Sequence, residues 1–471
     1  MKNLESPDTL NTLNNLNTYE DTYPIFTESM KKDYTILIPN MLPVHFKLIG
    51  RIMNNYGYNV ELLETTGRQI ADAGLKSVHN DTCYPALLVI GQFIDALESG
   101  KYDKSKVALM ITQTGGGCRA SNYIYLLRKA LATRGYGYIP VLSLNFSGLD
   151  KKASFKITLP MGFQMLYSIL LSDLIMLLYN QCKPYEVIKD TSDNVQNEAF
   201  GICFNLFKKG RLVSYKTIKN TYKNIVDMFN KIERRGERKI KVGIVGEIYV
   251  KYSPLGNNNL EDFLRSMDTE IVIPGLLDFC LYCVTNSIFD RNLYGRKFLV
   301  AKIYSVVYKW LLKKQDDVIS IIKRSSDFNP PMRFDATVDG VKDYISHGVK
   351  MGEGWLLTAE MIELIHSGVG NIVCTQPFGC LPNHIAGKGM ARKIKEKNPQ
   401  ANIVAIDYDP GATKINQENR IKLMLSVAKR NLENKANDIS VTDHLNNKSK
   451  ENIKVDITDK QSSVLPNAAK I

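Results

Sequence analysis

The sequence predicts an α/β fold of two lobes, each with a parallel sheet, joined by a helical segment. Short apolar runs rich in β-branched residues alternate with helical stretches between residues 34 and 144. The same alternation begins again near residue 240, whereas residues 159–233 have a mostly helical pattern. Strands that alternate with helices pair in parallel, and the helices cover the faces of the sheet.

The first lobe is predicted to contain four strands. The runs YTILIP, NVELL and VALMIT are typical of strands, and a helical stretch follows each of them. Pro85 suits the first turn of a helix, where its missing N–H is not needed. The predicted strands are residues 34–39, 59–63, 107–112 and 139–144, and the predicted helices are residues 44–56, 85–97 and 120–134.

The second lobe begins with the run IKVGIV, which predicts a strand followed directly by Gly246 and Glu247. Its predicted strands are residues 240–245, 270–273, 371–374 and 402–406, with helices between them. We expect a flexible segment at 1–30, a first α/β lobe at 31–158, a helical subdomain at 159–238, a second α/β lobe at 239–430, and a polar, loosely ordered tail at 431–471.

The sequence predicts a cytoplasmic protein. Its first 21 residues contain no apolar stretch of the kind found in signal peptides. The most apolar run, residues 165–179, is interrupted by Ser168, Ser172 and Asp173, so no membrane segment is expected.

The net charge is +13, and residues 208–241 hold twelve basic residues against three acidic ones. No nucleic-acid-binding motif accompanies them, so nucleic acid is not an expected partner. We interpret this segment as a solvated helical face. The alternative is a docking surface for an acidic partner or a phosphate-bearing substrate.

Eight cysteines are too few for a disulfide scaffold in a chain of 471 residues, and a single cysteine is usually a small buried hydrophobe. Context distinguishes Cys118, which follows a predicted strand and three glycines and precedes Arg119 and a predicted helix. Glycines permit close approach of the backbone, and amides at a helix N-terminus favour a thiolate. The three glycines are Gly115, Gly116 and Gly117.

Three other cysteines have comparable contexts. Cys374 ends a predicted strand, and Cys380 follows on a loop that contains Pro377 and Gly379. Cys83 precedes the predicted helix at residue 85. Because parallel sheets bind ligands beyond the carboxyl ends of their strands, these cysteines indicate a soft-metal site for iron–sulfur or zinc. The remaining four cysteines, interpreted as core residues, are Cys182, Cys203, Cys280 and Cys283.

Several segments together resemble the 2-hydroxyacyl-CoA dehydratase superfamily. They are HNDTCYPALLVIGQF, TQTGGGCRASNY, GEIYVKYSPLGNNNLEDFL, GEGWLLTAEM and CTQPFGCLPNHIAGKGM. The sequence is most similar to the part of the large acyl-CoA dehydratase activase-related proteins that follows their ATPase modules. The resemblance covers most of residues 33–425.

This resemblance implies two Rossmann-like lobes with a [4Fe–4S] cluster in the interlobe cleft. It matches Cys83, Cys118 and the loop from Cys374 to Cys380 to the cluster-binding motifs, with one or both of the last two as ligands. No GxxxxGK[ST] phosphate loop occurs, so a separate ATPase activator would supply the low-potential electron. The family reaction is radical loss of water from a 2-hydroxyacyl-CoA, and a related branch uses a double-cubane cluster to reduce small molecules.

Within this scheme, the amides of the three glycines and Arg119 would raise the potential of the cluster. Glu247 is a candidate acid/base group or, alternatively, a structural carboxylate that caps a turn. The chain would be a dehydratase-like lyase or a component of an ATP-coupled reductase. Two alternatives remain: a non-enzymatic electron-transfer or cluster-carrying partner that docks through residues 208–241, and a zinc-stabilised binding protein. The oligomeric state is left open.

Overall fold

A computed structural model describes residues 23–114, 117–144, 155, 157–208, 212–295 and 298–434. The fold is α/β, with two four-stranded parallel sheets, as predicted. Most of the segment 1–30, expected to be flexible, and most of the polar tail 431–471 lie outside the described residues.

The first sheet has the strand order β2-β1-β3-β4. Five of the six residues of its strand β3 are buried, as expected for a parallel sheet with helices on both faces. The strands are β1 (Thr35–Pro39), β2 (Asn59–Leu63), β3 (Val107–Thr112) and β4 (Val141–Leu144). The helices are α1 (Met30–Asp33), α2 (Pro43–Asn55), α3 (Arg68–Leu75), α4 (Tyr84–Glu98) and α5 (Tyr123–Thr133).

Three helices connect the two sheets: α6 (Leu159–Cys182), α7 (Thr191–Leu206) and α8 (Tyr215–Asn230). By length and composition, the stretch Leu159–Tyr185 is apolar enough to cross a membrane, but 67% of its most apolar window is buried inside the protein. The one acidic residue in the middle of this helix, Asp173, is held by partners from other segments. Its carboxylate accepts hydrogen bonds from the amides of Leu276 (2.8 Å) and Leu277 (2.9 Å) and lies 2.7 Å from His45 Nε2. Helix α6 thus connects the two lobes.

The second sheet has the order β6-β5-β7-β8, the same relative order as the first. Its strands are β5 (Ile240–Gly246), β6 (Thr269–Val272), β7 (Asn371–Pro377) and β8 (Asn402–Tyr408). The helices are α9 (Ile248–Tyr252), α10 (Pro254–Asn257), α11 (Leu260–Ser266), α12 (Leu276–Tyr294), α13 (Phe298–Ser325), α14 (Phe334–Gly340), α15 (Trp355–His366), α16 (Leu381–Ala386) and α17 (Ala391–Lys397). Residues 414–434 are also helical.

In each sheet the strand order reverses beside the first strand of the lobe, between β1 and β3 and between β5 and β7. Ligands of such sheets bind beyond the carboxyl ends of the strands at this reversal. Cys118 follows β3, Glu247 follows β5 and Cys380 follows β7. The topology therefore places three of the predicted site residues at the positions where a ligand is expected.

Candidate functional site

Three of the predicted cysteines are each the residue immediately before a helix. Cys83 precedes α4, Cys118 precedes a short 3-10 helix at Arg119–Asn122, and Cys380 precedes α16. An amide near the start of the helix lowers the pKa of each thiol: Ala86 for Cys83, Ala120 for Cys118 and Asn383 for Cys380. The free amides of a helix N-terminus carry partial positive charge, which favours a thiolate or another anion.

The loop that carries Cys380 lies directly against Cys83, across the two lobes. The Tyr84 amide donates a hydrogen bond of 2.9 Å to the Phe378 carbonyl. Gly379 has a φ of 72°, and a Cβ at this position would lie 3.1 Å from the Cys83 Cα. A side chain here would be strained and would press on Cys83, so glycine permits the approach.

The loop that carries Cys118, and the helix that follows it, contact the Cys83 segment and the loop of Met351. The Arg119 guanidinium donates to the Asp81 carbonyl, and the Cys83 Sγ lies 3.1 Å from the Tyr123 hydroxyl. The Gly117 amide donates to the Met351 Sδ at 3.1 Å. Gly117 and Arg119 lie beside Cys118, and their predicted role in holding a cofactor stays a prediction, whereas Gly115 and Gly116 lie outside the described residues.

Two carboxyl groups share the N-terminus of α9 next to the thiols. Glu247 accepts a hydrogen bond from the Val250 amide (3.0 Å), and Glu353 accepts one from the Ile248 amide (3.2 Å). Burial raises the pKa of Glu247 to about 8, and the nearby Glu353 charge adds to the rise. Burial also raises the pKa of Glu353. Two buried carboxyl groups this close retain a proton near neutral pH.

The thiols are neutral in this environment. Burial raises the pKa of Cys83, and the Arg119 charge opposes the rise. Burial raises the pKa of Cys118 to about 12, with Glu353 and Glu247 adding to it, and the same causes raise the pKa of Cys380. A bound metal cation would have to displace these protons, because the thiolate is the metal ligand.

Cys374 lies apart from these three thiols. The sequence places it at the end of a strand, but β7 continues three residues further, and Cys374 pairs in register with Val245 and Ala405. Its side chain is 0% exposed. Burial raises the pKa of its thiol to about 12. The charge that adds most to this rise is that of Glu360, whereas Cys118 and Cys380 respond to Glu247 and Glu353. Of the two cysteines left open by the sequence, the structure brings only Cys380 to the site.

Sequence reasoning did not assign Tyr123 or Cys283 to the site, and it considered Glu353 only as a lesser candidate beside Glu247. Glu353 stands between two glycines before α15, a pattern visible in the segment GEGW. Cys283, predicted as core, is exposed on α12. Desolvation by the surrounding protein raises the pKa of its thiol to about 12, and the Glu353 charge adds to the rise. Cys182 and Cys203 are fully buried, as expected for core residues.

The three thiols do not form a preformed tetrahedral site in this structure. Four thiolates at about 2.3 Å from one zinc ion lie about 3.8 Å from one another. Cys83, Cys118 and Cys380 do not all lie within 4.8 Å of one another. Among the described residues, only Glu186, Asp190 and Asp193 form such a group, and the Lys183 ammonium contacts all three, at 2.5–3.3 Å.

No protein-family model matches the chain, and no curated protein matches it either. What the site can do follows from its side chains. It offers three thiols to a soft metal, a pair of carboxyl groups that holds a proton, and helix N-termini that stabilise negative charge. The thiols come from two lobes, so only the folded chain assembles them.

Proposed function

We propose that this chain is an iron–sulfur redox protein whose Cys83, Cys118 and Cys380 hold a [4Fe–4S] cluster in a cleft between two Rossmann-like lobes. The convergence from the two lobes of three thiols that each stand immediately before a helix carries the proposal. Cysteine thiolates are the usual ligands of such clusters, and helix N-termini favour their negative charge. When bound, the cluster supplies one-electron transfer to or from a substrate.

The neighbouring residues have separate roles in this proposal. The Arg119 charge and the Tyr123 hydroxyl favour the thiolate of Cys83. Glu247 caps a helix, as its structural interpretation predicts, and with Glu353 it keeps a proton beside the thiols. Glu247 could donate that proton to a leaving group of the substrate or to a substrate atom that gains negative charge. This is the acid/base role expected of Glu247.

The proposed reaction follows from the resemblance to the 2-hydroxyacyl-CoA dehydratase superfamily. A separate ATP-dependent activator would deliver a low-potential electron, and the substrate would be an acyl-CoA or a small molecule that is hard to reduce. The position of Cys118, Cys380 and Glu247 at the strand-order reversals supports this, because substrates of parallel α/β proteins bind there.

A larger cluster of the double-cubane type is a second candidate. The exposed Cys283 favours it, because this thiol shares the electrostatic neighbourhood of Glu353 with Cys118. A second cubane requires further thiolates, and Cys283 is a candidate to supply one of them.

Anaerobic purification with iron and zinc analysis tests the ligand assignment. We expect a brown protein with about four irons per chain, or about eight for a double cubane. Cys83→Ala, Cys118→Ala and Cys380→Ala should each lose iron and the paramagnetic signal of the reduced cluster. Cys374→Ala is the matched control, because it removes a buried thiol outside the site.

Two results would contradict the proposal. A colourless protein with stoichiometric zinc would refute the cluster. Iron loss in Cys374→Ala with full retention in Cys380→Ala would refute the assignment of the ligands. Turnover of 2-hydroxyacyl-CoA substrates with an added ATPase activator then separates an enzyme from a cluster-carrying partner.

A further inference from the structure

The first half of α13 exposes a continuous apolar face. Leu299, Ile303 and Val306 are 70%, 59% and 65% exposed. The second half of the same helix is packed, with Leu311, Leu312, Val318 and Ile322 buried. Exposed apolar surface of this extent marks an interaction site. We call it the α13 face, and it consists of Phe298, Leu299, Val300, Ile303, Val306 and Val307.

The spacing of the exposed apolar residues along α13 suits contact with a second helix. Leu299, Ile303 and Val306 follow one another at intervals of four and three residues. This is the seam of a coiled coil, in which β-branched residues and leucine insert between the side chains of a facing helix. Four of the six residues of the α13 face are β-branched (Val300, Ile303, Val306 and Val307), whereas the apolar face of an interfacial membrane helix is usually built from Trp, Phe and Leu.

The positive charge around the α13 face indicates that its partner is acidic. Residues 291–315 contain seven basic residues and no acidic one. Lys302 and Lys309, one heptad apart, are exposed beside the seam and make no ion pair with any described residue. A second copy of this chain would bring the same positive charge to the contact, so it is a poor partner. The basic residues are Arg291, Arg296, Lys297, Lys302, Lys309, Lys313 and Lys314.

We propose that the α13 face is the docking site for an acidic amphipathic helix of a partner protein. The end of α12, which precedes this helix in the sequence, lies near the loop that contacts Gly117: the Lys350 ammonium is 5.6 Å from the centre of the Tyr294 ring, and the next residue, Met351, contacts Gly117. The α13 face itself contains none of the residues of the candidate thiol site. The proposal holds whatever that site binds.

Two designed helices of about four heptads provide the probes, one with Glu and one with Lys beside an identical apolar seam. Their binding to the full-length chain is measured by fluorescence anisotropy. We expect the Glu helix to bind at least tenfold more tightly than the Lys helix. The variants Leu299→Gln/Ile303→Gln and Lys302→Glu/Lys309→Glu should weaken it at least tenfold.

Matched controls come from the same protein. Leu423→Gln changes a leucine that is 69% exposed elsewhere, and Lys323→Glu changes an exposed lysine in the packed half of α13. Neither should alter binding. Equal binding of the two helices, or an equal loss in the controls, would refute the proposal.

The natural partner is then mapped with a photo-crosslinking residue in place of Ile303. A crosslinked peptide from another protein, with carboxylates beside an apolar helical seam, supports the proposal. A crosslink to lipid, together with binding to phosphatidylserine vesicles, would show a membrane site instead. A crosslink to a second copy, or none at all, would equally overturn the proposal.

Discussion

Replacing Lys251 by Met should destabilise the protein by about 3–5 kcal/mol, because it leaves a buried carboxylate without its partner. The Lys251 Nζ lies 2.9 Å from the Glu360 Oε1, and the two residues are 3% and 2% exposed. The double variant Lys251→Met/Glu360→Leu removes both charges. It should recover most of the loss, since apolar replacement of a buried ion pair is often neutral or stabilising.

The loss should grow with pH. Burial raises the pKa of Glu360, and Lys251 opposes the rise, so the pKa in the folded variant lies further above its unfolded value. The carboxyl group is neutral in both states below about pH 4, where the penalty is small. As pH rises, Glu360 loses its proton in the unfolded variant at a lower pH than in the folded variant. The unfolded state is therefore favoured, and the variant loses stability relative to the parent.

Urea denaturation of the parent, single and double variants at pH 5 and pH 8 measures this. Arg392→Met is the control, because the exposed pair between Arg392 and Glu396 should contribute about 0–1 kcal/mol. A loss below about 1 kcal/mol in the single variant, or no recovery in the double variant, would show that the pair is hydrated and the reasoning wrong.

Three further variants test the site and the core. Burial raises the pKa of Glu363 to about 7, above its value in the unfolded chain. Glu363→Gln should therefore raise the free energy of unfolding by about 1–2 kcal/mol at pH 8 and leave it unchanged at pH 4. Urea denaturation at the two pH values measures this. Gly379→Ala should lower the free energy of unfolding by about 1–2 kcal/mol and reduce the iron content, because its Cβ presses on Cys83. Gly100→Ala is the control: its φ is similar but its Cβ meets open space, so this variant should keep its iron. Tyr123→Phe removes the hydroxyl beside Cys83 and should lower thermal stability by about 1 kcal/mol, and an unchanged melting temperature would contradict this.

Much of the fold was predictable because its signals are local. All eight strands follow from short apolar runs bounded by turns or helical stretches, and the structure places a strand at each of them. The boundaries were less accurate. Strand β7 extends to Pro377, beyond the predicted end at residue 374, because pairing with β8 continues through Gln376. That partner lies more than 20 residues away in the sequence, so no local pattern contains it.

The sequence by itself determined the α/β class, the two sheets and the candidate cysteines, since periodicity and glycine-rich turns are written into neighbouring residues. Only the tertiary structure separated Cys380 from Cys374, brought Glu353 to Glu247 and exposed Cys283. The physical reason is that burial and proximity depend on which distant segments pack together. A thiol before a helix and a thiol inside a strand have similar local sequences, but strands on both sides of β7 enclose Cys374, whereas Cys380 stands at a helix N-terminus on a loop that contacts the Cys83 segment.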